Sequence, residues 1–133
     1  MMNTPYGSYS MFIDGNTIVT RFAGMFNVAT TELFVQEAKP LIEQFGDKQF
    51  LVLADMLNLE GATPEAYTVI DSFNRWINTR NMLAKALIIE NKIIAQIARL
   101  RVESTKYQNI QYFKTKEDAL SWFSEFQQKQ IAS

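Results

Sequence analysis

Asp55 is the first residue that a search for chemistry meets. In the stretch LVLADMLNLEGATPEAYTVI, from Leu51 to Ile70, an apolar run ends on that carboxylate, and Thr63-Pro64-Glu65-Ala66 then opens a helix. The carboxyl end of a central parallel strand is where open α/β sheets bind ligands. Glu90, Asn91 and Lys92 follow the next apolar run and fall on the same rim. Between Asp55 and the helix start lie Met56, Leu57, Asn58 and Leu59, three of them apolar in what reads as a loop. Apolar side chains there either tuck over the core as a lid or meet an apolar ligand or a second subunit. Methionine suits the latter roles because it adapts its shape to irregular partners. Asp55, Met56, Leu57, Asn58, Leu59, Glu90, Asn91 and Lys92 are therefore the candidate ligand- or partner-binding residues.

Composition narrows the chemistry sharply. The chain has no cysteine and no histidine. Disulfides, thiolate catalysis, thiolate metal sites and a Ser-His triad are excluded, and the commonest base near neutral pH is missing. An enzyme built from this chain would be a small hydrolase or transferase using Asp55 with Glu60 or Glu90 and a bound water or hard cation. The simpler readings compete at each position. Asp55 can tie down its own loop through an Asx-type turn, Thr63 is well placed to cap a helix, and Glu90 beside Lys92 fits a solvated strand exit. Free amides at the Asn91 helix start can take an anion. The five glycines, at 7, 15, 24, 46 and 61, form neither G-x-G-x-x-G nor G-x-x-x-x-G-K, so nucleotide-binding loops are not expected. No catalytic residue, metal site or cofactor is assigned.

The elements that must position these residues follow from patterning. At 133 residues, 47% apolar and 20% charged, the chain reads as one globular domain. Ser8 to Asp14 and Thr17 to Ala23 are short strands around a Gly15-Asn16 turn, and Gly24 ends the second. Asn27 caps a helix to about Phe45, with Phe34, Ala38, Leu41 and Phe45 on one face, Pro40 inside it and Gly46 stopping it. Gln49 to Ala54 and Ala84 to Ile89 read as apolar strands buried on both faces. Thr63-Pro64 opens a helix with Ala66, Ile70, Phe73 and Ile77 inward. Asn91 opens another with Ile93, Ile97 and Leu100 inward. Asn109 to Phe113 is a fifth strand. Thr115 and Asp118 cap a last helix that buries Ala119, Leu120, Phe123 and Phe126. The order is β-β-α-β-α-β-α-β-α, an α/β domain with a mostly parallel five-stranded sheet.

That order resembles the STAS-like family of anti-sigma-factor antagonists, also called SpoIIAA-like and grouped with Sec14-type lipid-binding folds. The resemblance rests on Gly24, Phe26 and Asn27 before the first long helix, and on Val52 to Asp55 ending the third strand. It continues with Pro64 to Ala66 opening the next helix, Lys85 to Ile89 in the fourth strand, and Phe113 to Trp122 at the close. It implies a SpoIIAA-like β-α superhelix across nearly the whole chain. In the antagonist branch, a serine directly after the strand-three aspartate is phosphorylated. Met56 stands there, so that switch is not carried over. The resemblance implies a non-catalytic module for a small apolar or lipid-like ligand or a protein partner, self-associating as a homodimer through an exposed apolar surface.

Net charge of −1 offers no long-range attraction to nucleic acid or anionic membrane, although the segment from Arg80 to Lys106 is locally basic. Nucleic-acid binding would need the Arg99/Arg101 helix to gather its cations on one exposed face. Apolar stretches such as Leu83 to Ile89 fall far short of the ~20 residues a membrane span requires. The start, MMNTPYGSYS, lacks a secretory signal pattern, and a cytoplasmic location is expected.

Overall fold

Asp14-Gly15-Asn16-Thr17 makes the first tight turn, with Gly15 at a φ of 62°, joining strand β2 (Gly7–Asp14) to β3 (Thr17–Phe26). A short strand, β1 (Met2–Thr4), precedes them and pairs antiparallel with β2. The computed structural model describes the backbone of residues 2–4 and 6–132 and the side chains of residues 6–125. After β3 the chain alternates: α1 (Val28–Glu43), β4 (Phe50–Ala62), α2 (Pro64–Ile77), β5 (Met82–Ile88), α3 (Lys92–Arg101), a 3-10 turn (Glu103–Tyr107), β6 (Ile110–Phe113) and α4 (Lys116–Ala132). The strands lie side by side in chain order. β2 pairs antiparallel with β3, and β3-β4, β4-β5 and β5-β6 pair parallel.

Each helix starts on a side chain that satisfies its free amides. Asn27 accepts from the Thr30 amide at 2.9 Å, Thr63 from Ala66 at 3.2 Å, Asn91 from Ile94 at 3.1 Å and Thr115 from Asp118 at 3.1 Å. Pro64 occupies the first turn of α2, where a missing N–H costs nothing. The two sheet faces carry separate cores. On one, Ile18, Phe50 and Val52 pack against Ala38 and Ile42 of α1 and Phe73 and Ile77 of α2. On the other, Leu51, Leu53, Ala84, Ala86 and Ile88 pack against Ala119 and Phe123 of α4. α3 sits on the α1–α2 face through Ile94 and Ala95, against Ile89, Met56 and Leu59. Among the described residues no helix is long and apolar enough to cross a membrane.

Strand β1 adds a sixth, edge strand to the five expected, and four other sequence expectations change. Gly24 does not end β3. It sits within the strand at a φ of 81°, and its backbone passes so close to Gly7 that a Cβ on Gly24 would lie 3.2 Å from the Gly7 Cα. Pairing with β3 likewise carries β4 on to Ala62, so Met56 to Leu59 are strand rather than loop. Register shifts at Arg21/Ala23 and Gly24/Met25 absorb the extra residues. α3 turns a different face inward: Ile94 and Ala95 are buried, while Ile93 is 70% exposed and Leu100 72%. The small alanines allow close approach to the sheet, which the bulkier stripe does not. Leu120 of α4 is exposed although Ala119 and Phe123 are buried, and Phe126 lies outside the described side chains.

Candidate functional site

Between the sheet and the α1–α3 layer lies a cavity of about 170 Å³. Side chains at alternating strand positions form its floor: Ile18, Thr20 and Phe22 of β3, Val52, Ala54 and Met56 of β4, and Lys85 and Leu87 of β5. Helix side chains such as Phe34, Ile70 and Ala98 close it from above. The wall is overwhelmingly aliphatic and aromatic. Its threonine hydroxyls are committed locally: Thr20 donates to the Leu53 carbonyl, Thr31 to Asn27 and Thr105 to Val102. Lys85 and Arg99 supply the charges of the wall, and no aspartate or glutamate lines it among the described residues.

Lys85 is the side chain that sequence reading passed over. It sits in the middle of β5, between Ala84 and Ala86, which face α4, so its own side chain points into the cavity layer. It is only 8% exposed. Its Nζ donates to Asn74 Oδ1 of α2 at 2.7 Å, the one acceptor it has among the described residues. Burial lowers its pKa from 10.5 to about 8, because an apolar surround penalises the ammonium. The signal was present in the sequence. A lone lysine inside an otherwise apolar strand of a sheet covered on both faces must be buried, and a buried lysine needs a reason.

Asn74 is held by a polar seam along α2. Its own amide donates to the Ile70 carbonyl at 2.9 Å, and Gln108 Nε2 donates to Asn74 Oδ1 at 3.1 Å and to Asn78 Oδ1 at 2.9 Å. Gln108 Oε1 is buried without a hydrogen-bond partner among the described residues. Asn78 Nδ2 donates to the Ser104 carbonyl, while the Ser104 amide and hydroxyl donate to Asp71 Oδ1 at 2.9 and 2.7 Å. Burial pushes the Asp71 pKa up, but these bonds and the Arg75 guanidinium outweigh it and hold the carboxyl below its usual range. The seam fastens the 3-10 turn to α2 and fixes the acceptor that Lys85 meets.

The residues singled out from sequence divide. Met56 and Leu59 line the cavity and pack under α3. Asp55, Leu57, Asn58, Glu90, Asn91 and Lys92 are absent from its wall. Alternation puts Asp55 on the sheet face opposite the cavity, since Ala54 and Met56 line it. Asp55 Oδ1 accepts from the Leu57 amide at 3.1 Å, the Asx-type closure expected, and Oδ2 accepts from Arg21 Nε at 3.3 Å. Asn91 spends its side chain on the Ile93 and Ile94 amides, and Glu90 and Lys92 are exposed. No group of three or more carboxylates is placed to hold a metal among the described residues.

No family model and no curated protein matches the chain. Its structure does match solved ones. A protein of the DUF3478 family with a SpoIIAA-like fold, from Shewanella loihica PV-4, superposes with a TM-score of 0.68 at 17% identity, over 92% of this chain and 98% of that one. An anti-sigma factor antagonist from Mycobacterium paratuberculosis superposes with a TM-score of 0.63 at 10% identity, over 90% and 97%. With its antiparallel hairpin, parallel sheet and helix layer, this chain has the SpoIIAA-like, STAS-like α/β fold.

Proposed function

We propose that the protein is a non-catalytic, cytoplasmic binding module that encloses a small apolar molecule between its sheet and the α1–α3 layer. The observation that carries this reading is the apolar cavity. Protein interiors are packed at crystal-like density, with few voids larger than a water. A space of about 170 Å³ is well beyond that. Larger residues would fill it, yet Ala38, Ala54, Ala62, Ala95 and Ala98 line the wall. Small residues at so many wall positions keep the space. Thermal unfolding with 1-octanol tests the reading, since a ligand bound only to the fold raises Tm by mass action. A saturable rise that Ala54→Leu removes supports it. No rise, or an equal rise in both proteins, counts against it.

A protein partner is the second reading, favoured by the outer face of α3. Ile93 and Leu100 lie exposed among Lys92, Arg99 and Arg101, and Tyr107 stands exposed beyond the helix. The antagonist among the structural neighbours carries a name that places its action on a protein. A second copy of this chain is one such partner. Sedimentation of the wild type against Leu100→Glu tests it: a dimer lost in the variant supports self-association, and a wild-type monomer at high concentration opposes it. The hydrolase or transferase using Asp55 with Glu60 or Glu90 is disfavoured, because Asp55 is engaged by Arg21 and Leu57 away from the cavity.

A further inference from the structure

The geometry points to a small monocarboxylic acid as the occupant of the cavity, with its carboxylate on the Lys85 ammonium and its aliphatic or aromatic body against the apolar wall. This rests on the cavity being a binding site and names what that site selects. An ammonium carries three protons; one is spent on Asn74 Oδ1 at 2.7 Å, and two have no acceptor among the described residues. Buried charges are ordinarily paired with an opposite charge. Here the partner is the neutral Asn74, and the ion pairs formed by the described residues involve other side chains. Asp71, three residues before Asn74 on α2, is committed to Ser104 and Arg75.

The wall adds the sign. It has no acidic member among the described residues, and its other cation, Arg99, is exposed to solvent, which leaves Lys85 as the one buried charge and an anion as its match. One deeply buried cation matches one negative charge. A phosphate monoester would bring a second into an apolar surround with nothing to compensate it, at a cost of several kcal/mol. Size sets the rest. A cavity of about 150 Å³ suffices for benzene, so about 170 Å³ suits an aromatic or medium-chain acid and excludes a phospholipid. The lowered pKa of Lys85, about 8, leaves the side chain mostly charged at neutral pH, and the opposite charge of a carboxylate offsets the desolvation that lowers it.

Calorimetric titration of the full chain at pH 7 with octanoate and with 1-octanol, probes of equal chain length, reads the preference directly. Octanoate is expected to bind at least tenfold more tightly than the alcohol. In Lys85→Met, octanoate should weaken at least tenfold while 1-octanol is unchanged or tighter. Equal affinities in the wild type, or an octanoate affinity unmoved by the substitution, would overturn the assignment and leave the apolar binding site standing. Binding of neither probe would bring down both. Should Lys85→Met not fold, the acid-to-alcohol ratio in the wild type decides alone.

Discussion

Lys85 governs the residue scale, and it should leave a mark on stability as well as on binding. Its pKa is 10.5 in the unfolded reference and about 8 in the fold. Between those values the unfolded chain holds a proton that the folded chain has lost, so raising pH favours the fold. Below about pH 8 the penalty is fully present, at roughly 3 kcal/mol. Urea unfolding of the wild type should therefore show stability climbing from pH 8 to pH 10, before tyrosine ionisation reverses the trend. Tyr9, pushed up to about 12 by burial and by Glu37, contributes that reversal above pH 10. Lys85→Met should be more stable than wild type at pH 7 by about 1–3 kcal/mol and should lose the climb. A flat wild-type profile, or a destabilised variant, would show that Lys85 is not buried as a strained cation. In the sequence, Ala84 to Ile89 reads as an apolar strand, and the lysine inside it is passed over. Its partner Asn74 lies eleven positions away on another element, and such a pairing has no local signature. Asp55, by contrast, was legible as a turn-closing carboxylate because its partner amide is two residues on.

At the scale of elements, local signals were readable and long-range ones were not. Asn27, Thr63, Asn91 and Thr115 cap their helices as their side chains dictate. The extension of β4 to Ala62 depends on the neighbouring β3, and no residue within Met56–Leu59 announces it. The inward face of α3 was misread for a related reason. Ile93, Ile97 and Leu100 make the more hydrophobic stripe, but tertiary packing chose Ile94 and Ala95. Two substitutions distinguish the faces. Ile94→Ala should cost about 2–4 kcal/mol, whereas Leu100→Ala should stay within about 0.5 kcal/mol; chemical denaturation measures both. With only Ile94 and Ala95 buried, α3 should also exchange its amide hydrogens before α1 and α2. The tight crossing of β2 and β3 makes its own demand. Gly24→Ala combines an unfavourable φ with a 3.2 Å approach to Gly7, and should lose about 1–3 kcal/mol.

For the whole molecule, strict alternation of strand and helix after the hairpin was enough to read a mostly parallel sheet, and the solved SpoIIAA-like structure shares the fold; that the strands lie in chain order is seen only in the structure. What alternation could not reveal is that three helices share one face with an open space beneath them, while α4 alone packs the other. Cavities arise from how side chains from distant elements fail to meet, so they have no motif. If that space is the functional centre, filling it should trade function for stability. Ala54→Leu is expected to add about 1 kcal/mol to the fold by occupying part of the volume, and to abolish binding. The most direct measurement is methyl-resolved NMR of the wild-type chain titrated with 1-octanol. Saturable shifts confined to the wall, at Ile18, Ala54, Leu87 and Ala98, with the α4-side methyls of Leu51 and Ala86 unmoved, are the expected result. Shifts absent at saturating probe, or spread evenly over both faces of the sheet, would contradict the claim that this fold encloses a ligand.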